Sequence, residues 1–324
     1  MQDEGPYNLR PFLCQAMSTA FLFPGQGSQH VGMGLELYQQ LPTARAVFDQ
    51  ADAQLGFALS ALCFEGPEEQ LTDTINQQPA LFVASMAMWQ AMGDDPLGPD
   101  GNGWPKPAFV AGHSLGEFSA LAAAGALSFS DGLKLVRRRG ELMKSAGECE
   151  PGAMAAILAL DVRAVENICN QASELTGRPV QVANDNCPGQ VVISGDDVAL
   201  PKAMELAQAA GARKVVKLPI TIAAHSSLMV SAAAEFAQMV DETPIQPPRV
   251  PVIANVTAEP LVTPAAIREE LKAQLTSAVA WTASINYLIQ QGVDTFVEVG
   301  PGDVLLGLVK RIDRKAKRMK PGIV

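Results

Sequence analysis

The 324-residue chain is poor in the residues that build metal, disulfide and nucleic-acid sites. Its three histidines, His30, His113 and His225, are too few for a histidine-rich metal centre. Five cysteines, Cys14, Cys63, Cys149, Cys169 and Cys187, are scattered, odd in number and free of any Cys-x-x-Cys spacing. That pattern argues against a disulfide framework or a zinc site and fits a reducing cytosol. Positive charge is short as well: 24 Lys and Arg stand against 34 Asp and Glu, for a formal net charge of -10. A nucleic-acid binder needs a basic face, so none is expected. No apolar run reaches transmembrane length without interruption, and no membrane contact is expected. The N-terminus, MQDEGPYNLRPFLCQAM, carries Asp3 and Glu4 early and lacks the continuous apolar core of a signal peptide. Residues 1–16 are expected to be a disordered extension, and the protein to be cytoplasmic.

Hydrophobic residues, in contrast, make up 48% of the chain and charged residues only 18%, which predicts a sizeable packed core. TAFLFPGQGSQ reads as a buried strand that breaks at Pro24-Gly25 into a glycine-rich loop, followed by a helix over 32–55. Residues 78–93 are apolar nearly all round and predict a buried helix. Residues 93–106, rich in Gly, Pro and Asp, predict a surface loop. PAFVAG is strand-like, residues 115–126 are helical, and a helix from Ser130 or Asp131 carries LVRRRGELM. After Pro151 the order becomes strand–helix–strand–strand–helix–strand, with Asp161 as N-cap of the first helix. VPVIANV and DTFVEVG then predict two more buried strands. The expected fold is α/β: an α/β-hydrolase-like core with a mostly parallel sheet and an inserted ferredoxin-like subdomain. The core would take residues 17–151 and 220–324, and the insert 152–219.

Gly112-His113-Ser114-Leu115-Gly116 matches the Gly-x-Ser-x-Gly nucleophile elbow, with an apolar strand before it and a helix after it. The turn is so sharp that side chains two residues either side of the serine would collide. The elbow would lift the serine oxygen out at the end of the sheet and aim the helix's first N–H groups at the same point. The same pattern also suits a glycine-bounded turn with an N-capping serine. A nucleophilic serine needs a base. His225, in TIAAHSSLM, lies between a strand and a helix and is the best candidate; His30 ends a glycine-rich loop, and His113 sits on a turn that should point it elsewhere. No acidic third member can be read: Asp185 lies between Ser114 and His225 in the chain but falls in the expected insert. A backbone or amide oxygen would serve instead. The lipase-type His-Gly-Gly-Gly loop is absent, and FPGQGSQ stands ready to offer a backbone donor to an oxyanion.

Several segments occur in a fixed order: FLFPGQGSQHVGMG, QPALFVASMAMW, GHSLGEFSALAAAGAL, LVRRRGELM, GAMAAILAL, NDNCPGQVVISG, AAHSSLM, PVIANVTAEP and VEVGPGDVLLGLVKRI. Over roughly residues 19–313 the chain thereby resembles the malonyl-CoA:acyl carrier protein transacylases of type II fatty-acid synthesis. It also resembles the acyltransferase domains of polyketide synthases. The resemblance implies that Ser114 is the nucleophile that carries a malonyl ester and that His225 is its general base. It implies that the Gln274 main-chain carbonyl orients the histidine, and that Gln26 and Leu115 supply the backbone donors of the oxyanion hole. Arg139, the last arginine of RRRG, would pair with the free carboxylate of malonate, as a guanidinium fork suits. Arg137 and Arg138 would be surface residues. The implied cycle is ping-pong: malonyl-CoA acylates the serine, and the phosphopantetheine thiol of acyl carrier protein accepts the group. No metal and no resident cofactor is implied. The family suggests a monomer. Ala223 and Ala224, beside His225, do not obviously exclude a methyl-bearing acyl group. A carrier protein of acidic character needs a local basic surface, for which Arg213, Lys214, Lys217, Lys310 and Arg311 are the candidates. Other readings are an esterase, an acyl hydrolase or acyltransferase of a polyketide pathway, and a non-catalytic docking module.

Overall fold

Two sheets organise the computed structural model, which describes residues 18–93, 95–97 and 104–322. The expected extension, Cys14, and residues 94 and 98–103 of the expected loop lie outside the described residues. Among the described residues ten strands form: β1 (Ser18–Phe23), β2 (Pro107–Gly112), β3 (Gly152–Leu158), β4 (Val180–Cys187), β5 (Gln190–Asp196), β6 (Lys214–Lys217), β7 (Val252–Ile253), β8 (Pro260–Leu261), β9 (Val293–Glu298) and β10 (Lys317–Met319). Six of them build one sheet in the order β10-β9-β1-β2-β7-β8, parallel except for the β7–β8 pair. The other four build an antiparallel sheet in the order β4-β5-β3-β6. That order, with helices Val162–Thr176 and Ala199–Ala209 between strands, is the ferredoxin-like pattern read from residues 152–219.

β1 shows why the first sheet is buried on both faces. Phe21 and Phe23 point into one apolar cluster and Ala20 and Leu22 into another, and all four have no exposed surface. Strands covered by helices on both sides read as continuous apolar runs, as this one does. Trp89 meets Phe21 and Phe23 edge-on at 5.8 and 6.0 Å, a geometry worth about 0.5–1.5 kcal/mol beyond area burial. The all-round apolar helix is Thr74–Ala91, packed on Phe129–Cys149, which begins just before the residues expected and is capped by Ser128.

The expected single helix over 32–55 is two helices, Leu35–Gln40 and Pro42–Leu55. Pro42 lacks an N–H and pushes Leu41 to an extended conformation (φ -119°, ψ 114°), so the chain breaks and restarts there. The strand expected from VPVIANV shortens to Val252–Ile253, because at Asn255 the backbone turns to serve side-chain acceptors rather than a ladder. Leu59–Glu65, β8 and β10 carry too few residues to show a period and are not evident from sequence.

β1 and β2 are adjacent and parallel, with Phe23 opposite Gly112, so the loops leaving their carboxyl ends emerge side by side. Such carboxyl ends are where open α/β sheets hold ligands. Gly116 sits so close to β1 that an ideal Cβ would lie 2.0 Å from the Phe23 carbonyl oxygen; at Gly112 it would lie 1.9 Å from that of Gly116. Gly307, in helix Val304–Ile312, faces open space. Gly112→Ala and Gly116→Ala should therefore each cost about 1–3 kcal/mol by overpacking against backbone, whereas Gly307→Ala should stabilise by about 0.5–1 kcal/mol. Urea denaturation midpoints check the contrast; a neutral Gly116→Ala would refute the packing account.

Candidate active site

The segment Gly112–Gly116 links β2 to helix Gly116–Ala123 through a left-handed residue, Ser114 (φ 51°). A non-glycine residue there is strained by about 1–2 kcal/mol and must be held. Asn255 holds it. Its Oδ1 accepts the Ser114 N–H at 2.6 Å, and its Nδ2 donates to the Gly112 carbonyl at 2.7 Å. Across the gap stands Gly25, where a Cβ would lie 2.2 Å from the His113 oxygen and 3.7 Å from the Leu115 nitrogen. The glycine lets the Pro24–Ser28 loop lie directly against the turn. Among the described residues, no acceptor takes the backbone N–H of Gln26 or Leu115.

His225 also has left-handed backbone (φ 59°) and is 3% exposed. Its Nε2 lies 2.8 Å from Ser114 Oγ. Its Nδ1 faces two carbonyl oxygens, Gln274 at 2.8 Å and Ser277 at 3.1 Å. Carbonyls only accept, so Nδ1 carries the proton and Nε2 is left as the acceptor for the serine hydroxyl. Gln181 braces the segment, donating from Nε2 to the His225 carbonyl and accepting the Ser227 N–H. Burial, and after it the charge of Arg139, push the His225 imidazole down to about 3, so it is neutral at physiological pH.

Arg139 is 2% exposed on helix Phe129–Cys149. Its Nη2 donates to Ser114 Oγ at 3.2 Å and to Gln274 Oε1 at 2.9 Å, and its Nη1 to Gln78 Oε1 at 3.0 Å. Nε finds no partner. Burial lowers the guanidinium to about 10, which leaves it cationic at neutral pH. A buried cation 3.2 Å from a serine oxygen can receive an anionic group on whatever that serine binds. Gln274 does more than offer its carbonyl: its Nε2 donates to the Ser114 carbonyl at 3.1 Å and to the Glu117 carboxylate.

The remaining candidates separate from this cluster. His30 is exposed on its loop. His113 turns away, pairing with Asn186 Oδ1 at 2.8 Å and lying edge-on to Trp281. Asp185 accepts from Thr282 and makes no contact with either ring nitrogen of His225. Arg137 and Arg138 are half-buried rather than simply exposed, and pair with Glu141 and, for Arg138, Glu235. Arg213, Lys214, Lys217, Lys310 and Arg311 are exposed. Lys217 pairs loosely with Asp197 at 3.9 Å, and Arg311 contacts Gln190.

Ser114, His225 and Arg139 line a cleft of about 240 Å³. One wall comes from the elbow and the Gly25–Ser28 loop, the other from Met154, Ala156, Asn184 and Val192 of the antiparallel sheet. Ala224 lines it and Ala223 does not; Ala223 packs instead towards Gly152. A cavity of about 560 Å³ adjoins it, sharing Gln26, Leu218 and Ile220. Among the described residues, no cluster of His, Cys, Asp and Glu could hold a metal ion, and no helix is long and apolar enough to cross a membrane.

Sequence reasoning missed Asn255, Gln78, Glu117, Glu270 and the side-chain role of Gln274. Glu117 did leave a signal: it is the one acidic residue in GHSLGEFSALAAAGAL, at the start of an alanine-rich helix, and it is completely buried.

The acyl transferase domain model matches residues 20–323. The malonyl CoA-acyl carrier protein transacylase of Bacillus subtilis is 48% identical over 298 residues, 92% of this chain and 91% of that protein. The solved malonyl CoA-acyl carrier protein transacylase of Coxiella burnetii superposes with a TM-score of 0.89 at 41% identity, covering 94% of each chain. A malonyl-transacylase solved in complex with its type II polyketide acyl-carrier protein superposes at 0.86 with 38% identity, again over 94% of each chain. The elbow, the neutral histidine and the buried arginine stand on a chain whose match to one family is nearly end to end, and this chain belongs to the acyl transferase family.

Proposed function

We propose that the protein transfers a malonyl group from malonyl-CoA to the phosphopantetheine thiol of acyl carrier protein, supplying extender units for fatty-acid synthesis. The observation that carries this reading is the buried Arg139, cationic and 3.2 Å from the Ser114 hydroxyl. A cleft for simple acyl esters has no use for a buried, charged fork. A carboxylated acyl group gives it a partner.

The steps follow from the hydrogen bonds. His225 Nε2 takes the Ser114 Oγ proton as Oγ attacks the thioester carbonyl carbon. The oxygen that becomes negative meets the free N–H groups of Gln26 and Leu115; losing one such donor typically costs about 2.7–4 kcal/mol of transition-state stabilisation. The C–S bond breaks, and the imidazolium returns its proton to the leaving thiolate. The second half-reaction runs the same steps with the carrier thiol as nucleophile. The Gln274 and Ser277 carbonyls stabilise the imidazolium Nδ1–H in place of a carboxylate, a weaker partner that a good thiolate leaving group tolerates. No resident cofactor takes part. Residues 17–151 and 220–324 form the catalytic domain in this reading, and the 152–219 insert supplies the facing wall of the cleft through Met154, Ala156, Asn184 and Val192. Lys217 lines the adjoining cavity and Arg311 contacts Gln190 of the cleft wall; with the exposed Arg213, Lys214 and Lys310 they are the basic groups on which a negatively charged carrier would dock, the enzyme acting as a single chain.

Intact-mass measurement after incubation with malonyl-CoA should show one malonyl adduct that is absent from Ser114→Ala and moves to added carrier protein. Charge reversal at Lys217 and Arg311 should slow the second half-reaction more than the first. Thioester hydrolysis without an adduct would replace the transferase reading by the hydrolase one.

Arg139→Ala should lower kcat/KM for malonyl-CoA about a hundredfold, the worth of two charge-assisted hydrogen bonds, while any activity on acetyl-CoA falls far less. Equal losses on both substrates would remove Arg139 from substrate binding.

Because His225 is depressed by burial to about 3, the base is competent at every pH above that value. The acid limb of kcat/KM for acylation should therefore lie well below the ordinary histidine value of about 6.5, leaving the rate flat between about pH 5 and 7. A limb near 6.5 would show that the imidazole is not desolvated as described.

A further inference from the structure

Beneath the elbow lie two carboxyl groups that the transfer steps do not use. Glu117, on helix Gly116–Ala123, has no exposed surface, and Glu270, on helix Pro264–Ala273, is 5% exposed. Both accept the same amide: Asn255 N–H reaches Glu117 Oε1 at 2.9 Å and Glu270 Oε1 at 3.0 Å. Their Oε1 atoms converge on that one N–H, which sets the two carboxyls side by side.

Hydrogen-bond logic decides which one is ionised. Arg139 has donors only, so Gln274 must present its oxygen to it. The Gln274 amide nitrogen is thereby forced onto Glu117 Oε2. Each oxygen of Glu117 thus accepts an N–H, and hydrogen bonds to the charged form favour the carboxylate there. Glu270 Oε1 accepts from Asn255 and Val256, while its Oε2 meets no N–H among the described residues. Two buried carboxylates side by side cannot both be charged. Arg139 is the cation of this cluster, and His225 beside it is neutral.

We propose that Glu117 and Glu270 share one proton, carried on Glu270 Oε2 and donated to Glu117, and that the single remaining negative charge positions Gln274 and Asn255 for the chemistry at Ser114. The chain of contacts is continuous. Glu117 fixes the Gln274 amide, whose oxygen holds Arg139 and whose backbone carbonyl holds His225 Nδ1. The pair also receives the Asn255 N–H, and the Asn255 side chain clamps Ser114. Both acids are positioning residues; neither touches the cleft. Burial raises both carboxyls, and their mutual repulsion keeps them from ionising together. The sign follows. A raised folded-state value means that the unfolded chain gives up its proton first, so stability falls as pH rises from the ordinary glutamate range through the folded value.

Two isosteric variants separate the partners. In Glu270→Gln, the amide oxygen keeps the two backbone donors and the NH2 group imitates the donated proton. In Glu117→Gln, the new NH2 group confronts either Gln274 or Asn255, donor against donor. Infrared spectroscopy at neutral pH should show a protonated-carboxyl stretch in the wild-type protein that is missing from Glu270→Gln. The fall in thermal midpoint as pH rises above the ordinary glutamate range should flatten in the same variant. Glu117→Gln should have kcat at least about tenfold below that of Glu270→Gln, with KM for malonyl-CoA little different between them. Absence of the stretch in wild type, its persistence in Glu270→Gln, or equal kcat losses would each overturn the proposal. The kinetic comparison rests on the malonyl-transfer reading; the infrared and thermal readouts do not. Failure of that reading alone leaves them intact, and they also decide the matter should Glu117→Gln not fold.

Discussion

Everything at the site depends on one turn that the backbone resists. Ser114 is left-handed, and the space on three sides of it is claimed by main chain: the Gly116 oxygen, the Phe23 oxygen and the Pro24–Ser28 loop. Glycines at 25, 112 and 116 admit the approach, and Asn255 closes it from below. The parallel pairing of β1 with β2 makes the two donor loops neighbours, so sheet topology and oxyanion geometry are one constraint. The strain of about 1–2 kcal/mol is small against the stability of a packed domain.

The electrostatics of the cleft follow from dryness. A cation and a base share the serine hydroxyl, and the cation helps to keep the base uncharged. An aspartate behind the histidine would pair with Arg139 across a short, buried distance and compete with any carboxylated substrate. Backbone carbonyls orient the imidazole without offering the arginine a rival anion. The negative charge present, on the acid pair, is kept one amide away, with Gln274 as the spacer.

Much of this was open to reading from sequence, and the reasons are physical. Gly-x-Ser-x-Gly is a local steric requirement, so it shows in five consecutive residues. Long elements show through composition and bounding turns: Thr74–Ala91 is apolar nearly all round, and β3 and β5 are short apolar runs bounded by turn residues. Arg139 could be singled out only through its register before Gly140 and the family resemblance. Asn255, Gln78, Glu117 and Glu270 were hidden because their partners are remote in the chain: Asn255 to Gly112 spans 143 positions. Short strands such as β8 and β10 have no period to display. Proline broke the expected helix at Leu41 by a local rule that a strictly periodic reading overlooks.

The two glutamines on Arg139 have a further consequence. Gln78 and Gln274 hold the guanidinium from two directions, and Phe118 lies against it with its ring centroid 5.7 Å away. A free arginine side chain loses about 0.5–1.5 kcal/mol of rotamer freedom when a ligand immobilises it. Here that loss was already taken at folding. The incoming carboxylate meets a fork already held by two hydrogen-bond partners, so its binding energy is available for bringing the thioester carbon onto Ser114.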